Sequence, residues 1–135
     1  MEINLDLEHL HHWMRAIRNS EDPIRTMDAF WRGQIKSKEW LLNELYKVRH
    51  NAKEWPTIDI HGGWVGTLAS LFFQSNMYID KIKSIDIDPT CEKIASDMNQ
   101  MELEAGRFRA ITADMCTYRS DADIVINTSF EHITQ

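Results

Sequence analysis

"IDIHGGWVGTLA", residues 58–69, decides the fold. An apolar run, Ile58 to Ile60, enters a cluster of three glycines and leaves as a small-residue, apolar helix pattern. The chain has five glycines in all, and three of them stand here. Glycine loses more backbone entropy on folding than any other residue. A cluster of them beside a strand therefore marks a sharp turn or a close approach of backbone to a ligand.

Downstream, short apolar runs recur at regular intervals: "TIDI" (57–60), "IKSIDI" (82–87), "FRAIT" (108–112) and "ADIVIN" (122–127). Helix-like segments follow the first two, over 66–75 and 89–104. Asp88-Pro89 is an N-cap and first-turn pair for the second of these helices, and Gly106 sits where a glycine would end it. Strands alternating with helices predict an α/β fold, a Rossmann-like, doubly wound and mainly parallel sheet of about four strands.

Upstream the chain reads as helix. Leu7, Leu10, Met14 and Ile17 place an apolar stripe on a first helix, which "NSEDP" ends. Asp22-Pro23 opens a second, short helix through Ile24, Met27, Phe30 and Trp31, and Gly33 interrupts it. A third, "SKEWLLNELYKV" (37–48), carries Trp40, Leu41, Leu45 and Val48 on one side. Trp13, Phe30, Trp31 and Trp40 at helical spacing read as core rather than as a stacking platform. The expected organisation is one domain over 1–135, with N-terminal helices to residue 54 and the Rossmann-like core from 55.

At 135 residues and 43% hydrophobic, the chain is long enough for one real core. A net charge of -6 excludes a general nucleic-acid-coating protein. The charge is uneven: residues 15–53 hold nine Lys/Arg against five Asp/Glu, and residues 54–135 hold six against thirteen. Any nucleic-acid contact would fall on the N-terminal third, and solvated helix faces are the favoured reading of that charge. Cys91 and Cys116 have no CxxC spacing and read as free thiols in a reducing compartment. No apolar run approaches the ~18 residues of a membrane span, so the expected location is cytoplasmic, without a membrane partner. His9 and His12 share a helical face but His11 does not, and no metal site is expected.

In a doubly wound sheet, ligands bind beyond the carboxyl ends of the strands, where backbone N–H groups of the first turn and helix meet them. Asp86 ends the second strand, 23 residues after Gly63. That is close to the ~20-residue offset at which a carboxylate accepts hydrogen bonds from a ribose diol. Asp88 is the helix cap. Asp114, after the third strand, has the chemistry to accept a hydrogen bond from adenine N6, with Met115 over the ring. Together these strand ends describe an adenosine site.

The series "IDIHGGWVG", "SIDIDP", "ITADM" and "ADIVINTSFEHI" resembles the motifs of class I S-adenosylmethionine (SAM)-dependent methyltransferases over roughly residues 57–132. The resemblance implies a SAM cofactor. Its methionine end would lie in the Asp59–Gly66 turn (Asp59, His61, Gly62, Gly63, Trp64, Gly66), its ribose at Asp86 and its adenine at Asp114 and Met115. The turn departs from the family pattern in having His61 at the first glycine position and the last glycine displaced to Gly66. Asn127-Thr128-Ser129-Phe130 has the first and last members of the segment that orients an amine in amino-group methyltransferases. Asn127 and Phe130 are thus the candidate catalytic pair, with an amine as the expected acceptor. His132 and Glu131 read as helix-start residues.

The family strand order, 3-2-1-4 followed by 5, 7 and 6, makes the fourth strand interior, whereas here the series stops soon after it. "IVIN" would then be an apolar edge needing cover. The N-terminal helices, a second copy of the chain in a homo-oligomer, or a longer parent enzyme would each supply it. Small proteins of this look occur in phages. The alternatives to methyl transfer are a binding or interaction module lacking the substrate half, and a SAM-consuming lyase or hydrolase.

Overall fold

The computed structural model describes residues 2–49 and 55–128. Helices α1 (Leu7–Asn19), α2 (Pro23–Met27) and α3 (Arg32–Arg49) come first, with a 3-10 turn, Asp28–Phe30, between the last two. The sheet region follows as β1 (Thr57–His61), α4 (Thr67–Gln74), β2 (Lys81–Asp86), α5 (Pro89–Met98), α6 (Gln100–Glu104), β3 (Phe108–Thr112) and β4 (Ile124–Asn127). All strand pairs are parallel and the order is β3-β2-β1-β4. No helix among the described residues is long and apolar enough to cross a membrane.

Parallel neighbours require crossovers. Helix α4 makes the first, and α5 with α6 the second. The expected continuous helix over 89–104 breaks at Asn99 (φ -107°, ψ 35°), whose fully buried side chain donates to the carbonyls of Ala95 and Gly66. A Gly106 with φ +74° then ends α6 as expected. Its N–H bonds Leu103 O, and that of Arg107 bonds Glu102 O, the two bonds of a Schellman motif.

Strand residues alternate between faces. Ile58, Ile60, Ile82 and Phe108 enter one apolar cluster with Leu68 and Phe72 of α4. The opposite face carries Asp59, Lys83 and Arg109 in register. Residues 113–123, with turns but no helix, return from β3 to β4 over that polar face. Ser120 Oγ donates to Asp59 at 2.5 Å, and Lys83 Nζ to Asp121 at 3.2 Å. The Asp121 hydrogen bond raises the Lys83 pKa and lowers that of Asp121.

The N-terminal helices form where expected, and Trp13, Phe30, Leu41 and Leu45 join or pack against the core as expected, but other residues of the expected faces point outward. Helix α1 buries Trp13 and Ala16, whereas Leu7 is 84% and Met14 62% exposed. Trp13 fixes that rotation: its indole N–H donates to Ser70 Oγ of α4 at 2.6 Å while its ring packs on Phe30. An indole offers more area than any of the leucines, together with a directional bond. Ala29 and Leu42 are buried, but Trp31 is 73% and Trp40 63% exposed. These two tryptophans are therefore not core residues. The break expected at Gly33 comes instead at Trp31, whose backbone is extended (ψ 147°), and Gly33 lies in the first turn of α3. Helix α1 packs on α5 and α3 on α4, so these helices form a layer over the crossover helices.

His9 fastens that layer. Its Nδ1 lies 2.7 Å from Asp6 Oδ1 and its Nε2 2.8 Å from Glu102 Oε1 of α6. Both neighbours of the ring are carboxylates, so only the doubly protonated imidazolium donates to both. Burial works against that charge, but the hydrogen bonds to Glu102 and Asp6 outweigh it and raise the His9 pKa above its ordinary 6.5. Asp6 is a neighbour one helical turn away in sequence, whereas Glu102 reaches His9 only through the fold. Among the described residues no group of three potential ligands is placed to hold a metal ion.

A raised folded-state pKa means stabilisation that is complete below the ordinary value and is lost as pH rises through the folded one. The melting-temperature gap between the native chain and His9→Ala should therefore be widest below pH 6.5 and narrow as the pH climbs above it. A pH-independent gap in thermal scans would show that the bridge is not ionic.

Candidate functional site

The turn between β1 and α4 lies against β2 and α5. A Cβ on Gly63 would fall inside the Ser84 hydroxyl. At Gly66 a Cβ would meet Asn99 Nδ2 at 2.8 Å and Ala95 Cβ at 2.9 Å, and its φ of +84° is left-handed as well. The glycines thus answer first to close packing within the fold.

The backbone amides of the turn are likewise engaged within the fold. The N–H groups of Gly62 and Gly63 both donate to Ile85 O (2.8 and 3.1 Å), and that of Gly66 donates to Gly63 O at 3.1 Å. The Trp64 N–H donates to Asp86 Oδ2 at 3.0 Å. These four amides are therefore occupied within the chain, contrary to the expectation that the turn holds its N–H groups free for a ligand. Trp64 has a left-handed φ of 52°, a conformation that costs a non-glycine residue on the order of 1–3 kcal/mol. Its bond to Asp86 offsets part of that cost.

Asp86 ends β2 half-buried. Its second oxygen accepts the Asp88 N–H at 3.0 Å. A carboxylate has about four lone-pair sites, so acceptor capacity remains after the loop is held. Asp88 caps α5 through the Thr90 N–H at 3.0 Å. Hydrogen bonds from Thr90, and then the Arg25 charge at 3.8 Å, hold the Asp88 carboxyl below the usual range. At the end of β4, Thr128 N–H and Oγ donate to His61 O, and Oγ also to Gly62 O at 2.8 Å.

Beside this turn opens a cavity of about 410 Å³, within the usual range of small-molecule sites. Gly62, Gly63, Trp64 and Asp86 line it, so four of the expected cofactor residues come together. Others do not line this cavity. Asp59 is 1% exposed within the sheet and takes the Ser120 hydroxyl. His61 sets its ring edge-on to Tyr118 at 5.9 Å, with Nε2 buried and unpartnered. Gly66 lies behind the turn, against α5. Asp114 is exposed and accepts the Cys116 N–H at 2.9 Å, the geometry of an Asx turn. Met115 follows Asp114 in that turn, and Asn127 pairs with His61 across β1 and β4. Phe130, Glu131 and His132 lie outside the described residues.

The sequence gives no sign of the remaining walls. Arg25 of α2, Gln34 and Lys38 of α3, and Cys91 of α5 line the cavity together with the turn. The basic excess of the N-terminal third is visible in the sequence, but not its direction. Burial lowers the Lys38 pKa. Burial and the charges of Asp86 and Asp88 push the Cys91 thiol up to about 12, so this thiol is not a nucleophile at neutral pH.

The fold is shared with known methyltransferases. A candidate RNA methyltransferase of Pyrococcus horikoshii superposes with a TM-score of 0.56 at 17% identity, over 68% of this chain and 44% of that one. SAH-bound PaMTH1 of Podospora anserina gives 0.56 at 12%, over 91% and 50%. SAH-bound magnesium protoporphyrin IX methyltransferase of Synechocystis PCC 6803 gives 0.53 at 15%, over 90% and 53%. This chain thus spans about half the length of these proteins. No sequence-family profile matches the chain, and no curated protein matches it. Its fold is the class I SAM-methyltransferase-like α/β fold.

Two outcomes follow from this geometry. Gly63→Ala should lose about 1–3 kcal/mol of stability, as overpacked sites do. Ser84→Gly in the same chain should restore much of it, and failure of that rescue in denaturant titrations would mean the clash lies elsewhere. In native protein at pH 8, a thiol reagent should modify exposed Cys116 and leave buried Cys91 untouched. Both should react in denaturant.

Proposed function

We propose that this chain binds SAM in the cavity between the glycine turn and the N-terminal helices, and presents its methyl group to an amine-type acceptor. The observation that carries the reading is Asp86. It stands at the end of β2, fixed by two backbone amides, lines the cavity and keeps lone pairs for a ribose diol. The SAH-bound proteins that share the fold support it.

When bound, SAM supplies a sulfonium-activated methyl group, which needs little acid-base assistance. The chain's task is then to bind and orient. Asp86 would hold the sugar, while Trp64 and the Gly62-Gly63 turn form the wall beside it. Thr128 ties the end of β4 to the turn, so that Asn127, next to it, has a fixed position from which to orient an acceptor amine. Asp114 and Met115 are proposed for the adenine end, which requires Asp114 to accept a base amine while keeping the Cys116 N–H.

The test is calorimetric titration with SAH. Asp86→Ala should weaken binding by about 1.5–3 kcal/mol, the worth of a hydrogen bond to a charged group, without altering the melting temperature enough to unfold the chain. Unchanged affinity would place the ribose elsewhere. Methyl release from labelled SAM into amine acceptors then separates transfer from binding alone.

A further inference from the structure

The cavity beside the glycine turn has two electrically different walls. Asp86 and Asp88 stand on the sheet side, and Arg25 and Lys38 on the helix side. The acidic wall is engaged: Asp86 accepts two backbone amides, and Asp88 caps α5. The basic wall is not matched in the same way. Lys38 Nζ donates to Gln34 Oε1 at 3.1 Å, a neutral amide one helical turn away. Among the described residues no carboxylate lies within ion-pair distance of it. Arg25 reaches Asp88 only at 3.8 Å and is otherwise largely exposed.

An ammonium drawn partly out of water beside a neutral partner is less well stabilised than one beside an anion. Burial is also the one influence that shifts its titration, as expected where no carboxylate is close. A guanidinium held by one long contact keeps donors for a planar anion. Both cations belong to helices before the sheet, and both line the cavity in which the ligand would lie.

We propose that Lys38 and Arg25 form an anion-recognition wall, so that the ligand of this cavity is a nucleoside whose tail carries an anionic group, a carboxylate or a phosphate. Its sugar lies toward Asp86 and its tail toward α3. This inference rests on the nucleoside site proposed above and extends it, because it makes the N-terminal helices part of the binding site. A single carboxylate end would not discriminate between nucleosides of similar shape, whereas two walls of opposite sign select a ligand that has both a diol and an anion, and fix its direction.

The experiment compares three probes by calorimetry: SAH with its carboxylate tail, methylthioadenosine with the amino-acid tail removed, and adenosine monophosphate with a phosphate tail. In Lys38→Met, SAH binding should weaken about tenfold or more, as for loss of a charge-assisted contact, while methylthioadenosine binding stays unchanged. Lys38→Arg should recover SAH binding, and Arg25→Gln should show a smaller loss of the same selectivity. Equal SAH affinity in the native chain and Lys38→Met would overturn the wall and leave the SAM site standing. Parallel loss of SAH and methylthioadenosine would also overturn it, since the residue would then be supporting the fold. Lys38-dependent binding of adenosine monophosphate without SAH binding would keep the wall and overturn the SAM reading. No binding of any probe would overturn both.

Discussion

There is no room for a side chain at two points of the β1–α4 turn, and the rest of the structure depends on that constraint. Gly63 lies against Ser84 of β2, and Gly66 against Ala95 and Asn99 of α5. The turn is thereby brought down onto the sheet and the second crossover helix together. Its amides meet the carbonyl of Ile85, and Asn99 closes the contact by donating to Gly66 O. The break between α5 and α6 has the same origin, since Asn99 spends its side chain on this junction. These two close-packed contacts thus set the end of β1, the start of α4 and the direction of α5. Asp86 stands at its edge.

The site inherits its chemistry from that junction. Asp86 holds the strained Trp64 amide and lines the cavity at the same time, so one carboxylate serves both the loop and the proposed ligand. The second wall comes from helices that precede the sheet, and directional contacts govern their placement. Trp13 bonds Ser70, and His9 bridges Asp6 and Glu102. Because these contacts anchor α1 to α4 and α6, they help place the layer to which Arg25 and Lys38 belong. Electrostatics at a distance from the cavity therefore bears on its shape.

The sheet half of the molecule was legible because its signals are local. Apolar runs of strand length, a glycine cluster, Asp-Pro helix starts and Gly106 each act within a few residues, and each stands in the element that its local signal predicts. The N-terminal third was less legible. Its helices are real, and Trp13, Phe30, Leu41 and Leu45 meet the core as expected, yet Leu7, Met14, Trp31 and Trp40 of the inferred faces are exposed, while Ala29 and Leu42 are buried. Periodicity finds an amphipathic stripe, but a tryptophan with a hydrogen-bond partner can rotate a helix away from it. The residues expected to bind a cofactor divide likewise. Gly62, Gly63 and Trp64 share one turn and meet Asp86, at the end of β2, in the cavity, whereas Asp59 is taken by Ser120 and Asp114 by its own turn.

The sequence by itself determined the strand and helix order, the parallel sheet and the pairing of a glycine turn with an acidic strand end. Each of these follows from steric and periodic rules that need only near neighbours. Tertiary structure alone decided that the glycines pack against β2 and α5, that His9 meets Glu102 from 93 residues away, and that Arg25 and Lys38 line the cavity together with the turn. Those contacts join residues distant in the chain, and their energies depend on burial and orientation, which exist only once the layers have packed.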